Sequence, residues 1–191
     1  VMDRFPVNPQ TDVILKDDSQ KLTYGQKLSV LELAEVVFKG TDGETVTGKL
    51  QWKNGDSIPT VDTKKATWEF VPSSDYNNKY ATAEGELAIN VVKATPYIKT
   101  TVTADAITYG ETLNDSALNG GEVQYSETDE TAVAGTWSWK ETTTKPVVAD
   151  SNVTQYDVVF TPTDADNYSI VETKITLTVN KSTATPNMPE N

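Results

Sequence analysis

The sequence predicts an all-β protein made of two consecutive small β-sandwich domains. Composition is the first reason: Thr, Val and Tyr are abundant, and Gly and Pro separate short runs of them, as is typical of strands joined by turns. Leu-rich stretches at helical spacing are nearly absent. The second reason is that the chain of 191 residues contains one pattern twice, which indicates a repeat architecture.

The repeat consists of four pairs of segments that follow one another in the same order. The offset between the members of a pair changes only from 85 to 90 residues, as small loop insertions would cause. Each unit is therefore about 85 residues long, the size of a small β-sandwich. The pairs are KLTYGQKLS (21–29) with AITYGETLN (106–114), VTGKLQW (46–52) with VAGTWSW (133–139), FVP (70–72) with FTP (160–162), and INVVKA (89–94) with LTVNKS (177–182).

The boundary between the units is predicted in the KATP segment, residues 93–96. Pro96 favours an extended conformation at Thr95, which suits a short and stiff connection. A similar segment, KSTATP, follows at 181–186. We therefore expect a leader or linker over residues 1–10, the first repeat over 11–95, the second over 96–182 and a C-terminal linker over 183–191.

Each unit can be divided into strands by its β-favouring runs and turn residues. Asn54-Gly55 is a hairpin signal, Asn119-Gly120-Gly121 predicts another turn, and Pro72 and Pro162 should each end a strand because Pro donates no ladder hydrogen bond. The predicted strands are DVILK (12–16) and YIKTTV (97–102), GKLQW (48–52) and GTWSW (135–139), KATWEFV (65–71) and QYDVVFTP (155–162), and long last strands that end at Val92 and Val179.

Alternation along these strands predicts which side chains face the cores. Trp137 and Trp139 share one face of their strand, and Leu50 and Trp52 hold the matching positions in the first unit. Aliphatic residues thus replace Trp between the copies, which favours a core role over a ligand platform. We expect all four tryptophans to be largely buried: Trp52, Trp68, Trp137 and Trp139.

Composition also excludes several classes of function. The chain has no Cys and no His, so disulfides, thiol nucleophiles, His-based triads and the usual zinc ligands are excluded. Its net charge of −12 repels nucleic acid and anionic membranes. No apolar run approaches the roughly 20 residues that span a bilayer. We therefore expect a monomer with neither nucleic-acid partners nor membrane insertion.

The matched segments resemble a known group, the Ig-like, mostly-β repeats of bacterial surface proteins in which a Tyr-Gly segment opens the unit. The resemblance rests on TYGQKL and TYGETL, on VTGKLQW and VAGTWSW, and on FTPTDADNY with the closing LTVNK. It covers residues 11 to 182 and is closer in the second unit, since FVPSSDY is two residues shorter than its counterpart. Tyr76 and Tyr168 resemble the tyrosine that anchors a corner of Ig sandwiches.

This resemblance implies two tandem Ig-like β-sandwich domains of about seven short strands each. It also implies a non-catalytic spacer or stalk within a multi-domain protein that is secreted or wall-associated, mostly in Gram-positive bacteria. Its partners would be the other domains of the same polypeptide. The alternative function is an adhesin-like or carbohydrate-binding module for a glycan or a host surface protein.

Candidate sites are few, and each has a plain structural alternative. Asp164, Asp166 and Asn167 offer three oxygen-bearing side chains to calcium, but the same residue types form turns without a metal. No cofactor is expected otherwise. Exposed tyrosine rings stack on sugars, and the candidates are Tyr97, Tyr125 and Tyr80, which equally suit a half-exposed sheet.

Enzymatic activity is not expected. Glycosidases use paired carboxylates, and the pairs available here, Asp129 with Glu130 and Asp164 with Asp166, lie in predicted loops with no cleft implied. The sequence contains no motif that indicates a Lys–carboxylate isopeptide cross-link.

Overall fold

The computed structural model describes residues 4–8 and 12–183, which form short β-strands joined by turns and single-turn 3₁₀ helices. The chain divides between Ala94 and Thr95 into two compact parts, unit 1 (Val1–Ala94) and unit 2 (Thr95–Asn191). The prediction of an all-β chain is confirmed. Each unit is described separately below.

Unit 1 is built around a three-stranded antiparallel sheet in the order β4-β5-β6. A short hairpin joins β2 to β3. β1 pairs in parallel with β7, so the first and last strands of the unit in chain order are neighbours. The strands are β1 (Leu22–Thr23), β2 (Phe38–Lys39), β3 (Thr45–Val46), β4 (Gly48–Trp52), β5 (Lys65–Pro72), β6 (Ala83–Ala88) and β7 (Val91–Val92).

Unit 2 has a corresponding sheet in the order β13-β14-β15 and a parallel pair, β10 with β16. Two further antiparallel pairs, β8 with β12 and β9 with β11, flank it. The strands are β8 (Tyr97–Ile98), β9 (Val102–Ala104), β10 (Ile107–Thr108), β11 (Leu118–Gly120), β12 (Val123–Gln124), β13 (Gly135–Trp139), β14 (Tyr156–Pro162), β15 (Val171–Ile175) and β16 (Val179–Asn180).

The N-terminal segment 5–8 belongs to unit 1 rather than to the leader predicted over residues 1–10. The Phe5 amide donates to the Lys79 carbonyl at 2.7 Å, and the Ala81 amide donates to the Phe5 carbonyl at 2.9 Å. The Asn8 amide donates to the Lys39 carbonyl at 2.7 Å. These bonds belong to isolated β-bridges, which the sequence pattern did not indicate because the segment is short and contains Pro6. The linker predicted from residue 183 lies almost wholly outside the described residues.

The central strands match the prediction, whereas the first and last strands differ from it. β5 and β14 do end at Pro72 and Pro162. The predicted opening strand 12–16 is reduced to one isolated bridge at Leu15. The long last strands are interrupted after β6 and after β15. Their final residues leave the antiparallel sheet in order to pair in parallel with β1 or β10.

The turn signals were only partly correct. Residues 53–56 do form a turn, but the link from β4 to β5 continues to residue 64 and is not a two-residue hairpin. Gly120 and Gly121 both have positive φ, 67° and 78°, yet Asn119 and Gly120 lie in β11, where they pair with β9.

Three of the four tryptophans are buried as predicted. Trp52, Trp68 and Trp139 are 6%, 4% and 7% exposed. Trp137 is only half-buried, which corrects the prediction for that residue. It shares its face of β13 with Trp139 and packs against Phe160, with ring centroids 5.4 Å apart.

In each unit the N–H of a buried indole in the main sheet donates to a backbone carbonyl outside the sheet. Trp52 Nε1 donates to the Leu31 carbonyl at 2.8 Å, and Trp139 Nε1 donates to the Ser116 carbonyl at 3.0 Å. Both acceptors directly follow a 3₁₀ turn that begins with a buried leucine, Leu28 or Leu113. Because an indole N–H needs a partner when it is buried, these bonds fix where the turn lies over the sheet.

The repeated Thr-Tyr-Gly segment forms the same tight turn in both units. Its glycines, Gly25 and Gly110, have φ values of 96° and 101°, a region that disfavours other residues. The side chain that follows closes the turn. In unit 2 this is Glu111, whose Oε2 accepts from the Thr108 amide at 2.6 Å, and in unit 1 Gln26 accepts from the Thr23 amide at 2.9 Å.

Side-chain volumes across the central strands are matched differently in the two units. In unit 1, Trp68 lies opposite Gly85, and a Cβ on that glycine would lie 2.4 Å from Cζ2 of the indole. In unit 2 the corresponding pair is Val158 with Thr173. A large ring facing no side chain thus replaces two side chains of intermediate size.

Gly48 opens β4, and a phenylalanine ring covers it. A Cβ at Gly48 would lie 2.3 Å from the Val71 carbonyl oxygen and 2.7 Å from Phe70 Cζ. Gly135 has the equivalent surroundings in β13, where a Cβ would lie 2.4 Å from Phe160 Cζ. The glycine of the repeated V-x-G segment is therefore required by packing.

We predict that Gly48→Ala destabilises unit 1 by about 1–3 kcal/mol, the usual cost of overpacking a tight site. Gly55→Ala is the matched control, because the nearest atom to its Cβ would be 3.5 Å away. Urea denaturation followed by Trp fluorescence measures both. Equal midpoints for the two variants would contradict the packing requirement.

Candidate functional site

The acidic turn of unit 2 holds its own side chains. Asp164 Oδ1 accepts from the Asn167 amide at 3.2 Å, and Asp164 Oδ2 accepts from Asn167 Nδ2 at 2.9 Å. Asn167 therefore presents its NH₂ group to Asp164, whereas a cation would need its carbonyl oxygen. Asp166 is exposed. Within the described residues no three acidic side chains converge in a way that would hold a metal ion.

The three candidate tyrosines lie in different environments. Tyr97 is 41% exposed, whereas Tyr80 is only 5% exposed, so the ring of Tyr80 is not available to a sugar and that prediction is corrected. Tyr125 is half-buried and packs edge-on against Tyr168 with ring centroids 6.5 Å apart. Tyr97 lies opposite Gln124 in the β8–β12 pair.

The tyrosine expected at the corner differs between the units. Tyr168 lies three residues before Val171, which pairs with Phe160. By the same register its counterpart in unit 1 is Tyr80, three residues before Ala83, and not Tyr76. The Tyr76 hydroxyl nevertheless accepts from the Thr47 amide at 2.8 Å.

The paired carboxylates considered for catalysis have structural partners. Asp129 accepts from the Thr131 amide at 3.0 Å and from the Thr131 hydroxyl at 2.7 Å, and these bonds lower the pKa of Asp129. Glu130 pairs with Lys99 at 3.4 Å. A carboxyl whose pKa is lowered stays ionised near neutral pH and is a poor general acid.

A polar cluster that the sequence did not predict lies beside the N-terminal segment 5–8 of unit 1. Asp42 Oδ2 accepts from Lys79 Nζ at 2.9 Å and from the Tyr80 hydroxyl at 2.8 Å. The Lys79 ammonium also lies 5.5 Å from the ring centroid of Phe5, within cation–π range. Asp42 and Lys79 are far apart in sequence, and no motif links them.

This cluster shifts the pKa of its carboxyl. The hydrogen bond from the Lys79 ammonium is the main cause, and with the Tyr80 hydroxyl and the Glu44 amide it lowers the pKa of Asp42 from 3.8 to about 2. Asp42 is therefore ionised whenever the unit is folded at ordinary pH. This carboxylate stabilises the fold through its hydrogen bonds, and its pKa is too low for proton transfer near pH 7.

Unit 1 contains an open groove of about 1010 Å³ between residues 31–35 and residues 49–53. Leu31, Leu33, Leu50 and Trp52 supply its apolar lining. Charged side chains of both signs stand at its rim, among them Lys16 and Glu35. We call this concavity the groove. The sequence contained one signal for it, since Leu50 occupies the repeat position at which unit 2 has Trp137.

Comparison with known proteins does not add a function. No protein-family model matches the chain, and no curated protein sequence matches it. None of the described residues forms a helix with the length and apolar character needed to cross a bilayer.

We predict that unit 1 loses stability in acid through Asp42. The pKa of this group is lower in the folded state, so its contribution is complete above pH 3.8 and is lost as the pH falls towards 2. Asp42→Asn should melt below the wild type at pH 7 and approach it near pH 2. Thermal unfolding across this range measures the difference.

Asp56→Asn is the control for that series. Asp56 pairs with Lys27 at 3.0 Å, but its side chain is 94% exposed, and such surface pairs contribute little. If Asp42→Asn and Asp56→Asn behave alike across the pH range, the cluster does not stabilise unit 1.

Proposed function

We propose that the chain is a non-catalytic spacer of two Ig-like modules in a multi-domain bacterial protein that is secreted or attached to the cell wall. The observation that carries the proposal is the recurrence of one set of fold-closing contacts in both units. Each unit contains the indole-to-carbonyl bond, the Thr-Tyr-Gly turn and a parallel strand pair, β1 with β7 or β10 with β16. A spacer gains length by repeating one module, and each module then needs contacts that stabilise it on its own.

The polar side chains support the same proposal. Asp129, Asp164 and Asp42 each accept hydrogen bonds from neighbours in their own unit, so their charge is used in turns and strand docking. The resemblance of TYGQKL and TYGETL to surface repeats supplies the bacterial setting and the expected partners, which are further domains of the same polypeptide.

Mechanical unfolding tests the spacer. Pulling the full chain by its ends should give two separate unfolding events, each releasing on the order of 300 Å of chain for about 90 residues at 3.3–3.6 Å per residue. The hydrogen bonds between β1 and β7 should be loaded in shear, because these first and last strands of the unit are parallel and would be pulled in opposite directions along their length. One merged event, or extension without force peaks, would count against a load-bearing module.

An adhesin-like or carbohydrate-binding module is the second candidate, and the exposed ring of Tyr97 favours it. A glycan array with the full chain should give no ligand tighter than roughly millimolar, about 4 kcal/mol of binding, if the spacer proposal holds. A micromolar ligand that is lost in Tyr97→Ala but kept in Tyr109→Ala would select the second candidate. Tyr109 is the matched control because it is 55% exposed.

A further inference from the structure

The groove of unit 1 is bordered on one side by the free edge of the main sheet. β4 is the outer strand, and the Lys53 amide donates to the Thr67 carbonyl of its neighbour at 2.9 Å. Backbone groups alternate in direction along an antiparallel strand. The peptide groups of Leu50 and Trp52 therefore point away from β5, and no described residue forms a backbone hydrogen bond with them.

The opposite border is a second strand edge. The Lys16 amide donates to the Glu32 carbonyl at 2.8 Å, and the Ala34 amide donates to the Ile14 carbonyl at 2.9 Å. Leu33 lies between these two bonds in an antiparallel bridge, so its own N–H and C=O point away from that pair. The N–H and C=O of Leu33 have no hydrogen-bond partner among the described residues.

We propose that the groove binds one extended peptide segment of a partner protein as an added β-strand. A strand is the ligand that presents backbone donors and acceptors along both of its edges, and both borders here offer such groups. The alternate side chains of the peptide would pack on Leu33 and Leu50, the partly exposed members of the apolar lining. Main-chain bonds would give affinity and these contacts specificity, as in other cases of strand addition.

In unit 2 a tryptophan occupies the corresponding place, and the pocket that Trp137 lines is smaller, about 400 Å³. Leu50 pairs with Phe70, and Trp137 pairs with Phe160 at the same position of the repeat. The Trp137 indole reaches across and donates to the Gly121 carbonyl at 3.2 Å. Because unit 1 has Leu50 where unit 2 has Trp137, unit 1 alone would have room for the peptide at this position.

A second copy of this chain is a poorer occupant than a foreign peptide. If two β4 strands paired about a two-fold axis at Gln51, Lys49 of one copy would lie opposite Lys53 of the other. Like charges placed directly opposite one another destabilise a strand pair. The commitment is therefore to a heterologous peptide, and self-pairing is one outcome of the test.

The test begins with a displayed library of random ten-residue peptides selected on the full chain. We expect enriched peptides with alternating apolar residues, and we expect their affinity to fall at least tenfold in Leu50→Trp. That variant copies the arrangement of unit 2 and should keep the fold. Tyr109→Trp is the control, since it adds a tryptophan at an exposed position of unit 2.

Amide exchange by NMR supplies a second readout that does not depend on the variant folding. On addition of an enriched peptide, the amides of Leu33, Leu50 and Trp52 should exchange at least tenfold more slowly, while Gln51 should be protected with and without peptide. Failure to enrich any peptide, or binding that leaves these amides unchanged, would overturn the proposal. Protection that rises with protein concentration alone would replace the peptide by a second copy.

Discussion

Each unit depends on a buried indole that holds two layers of chain together. Trp52 and Trp139 are the last residues of the edge strands β4 and β13, and each donates its N–H to a backbone carbonyl outside the sheet. The acceptor follows a 3₁₀ turn whose first leucine is itself buried. Since an unpaired buried N–H is costly, this single bond sets the distance between the turn and the sheet.

Structure could be predicted from the sequence at positions where a residue type has a single structural role. Pro72 and Pro162 ended their strands because a missing amide cannot continue a ladder, and the buried tryptophans followed from alternation. The prediction for Trp137 was wrong because alternation gives the face of a strand on which a residue lies but not how completely other elements cover that position. Phe5 was misjudged because its pairing partners, Lys79 and Ala81, are remote in sequence.

The candidate sites were harder to predict than the fold for a related reason. Carboxylates in turns have the same residue types whether they bind a ligand or bind their own backbone, as Asp164 does. The pKa of Asp42 is lowered mainly by Lys79, which is remote in sequence and which the fold brings to it. The groove depends on what Leu50 lacks relative to Trp137, and this difference becomes meaningful only once both strand edges are seen.

The pairing of Trp68 with Gly85 has a consequence for how neighbouring repeats fold. Adjacent similar domains are prone to misassembly in which a strand of one joins the sheet of the other. If β15 took the place of β6, Thr173 would bring a side chain to the position where even a Cβ lies 2.4 Å from the indole. Unit 1 thus rejects the strand of its neighbour on steric grounds, and divergence between the two copies protects the fidelity of their folding.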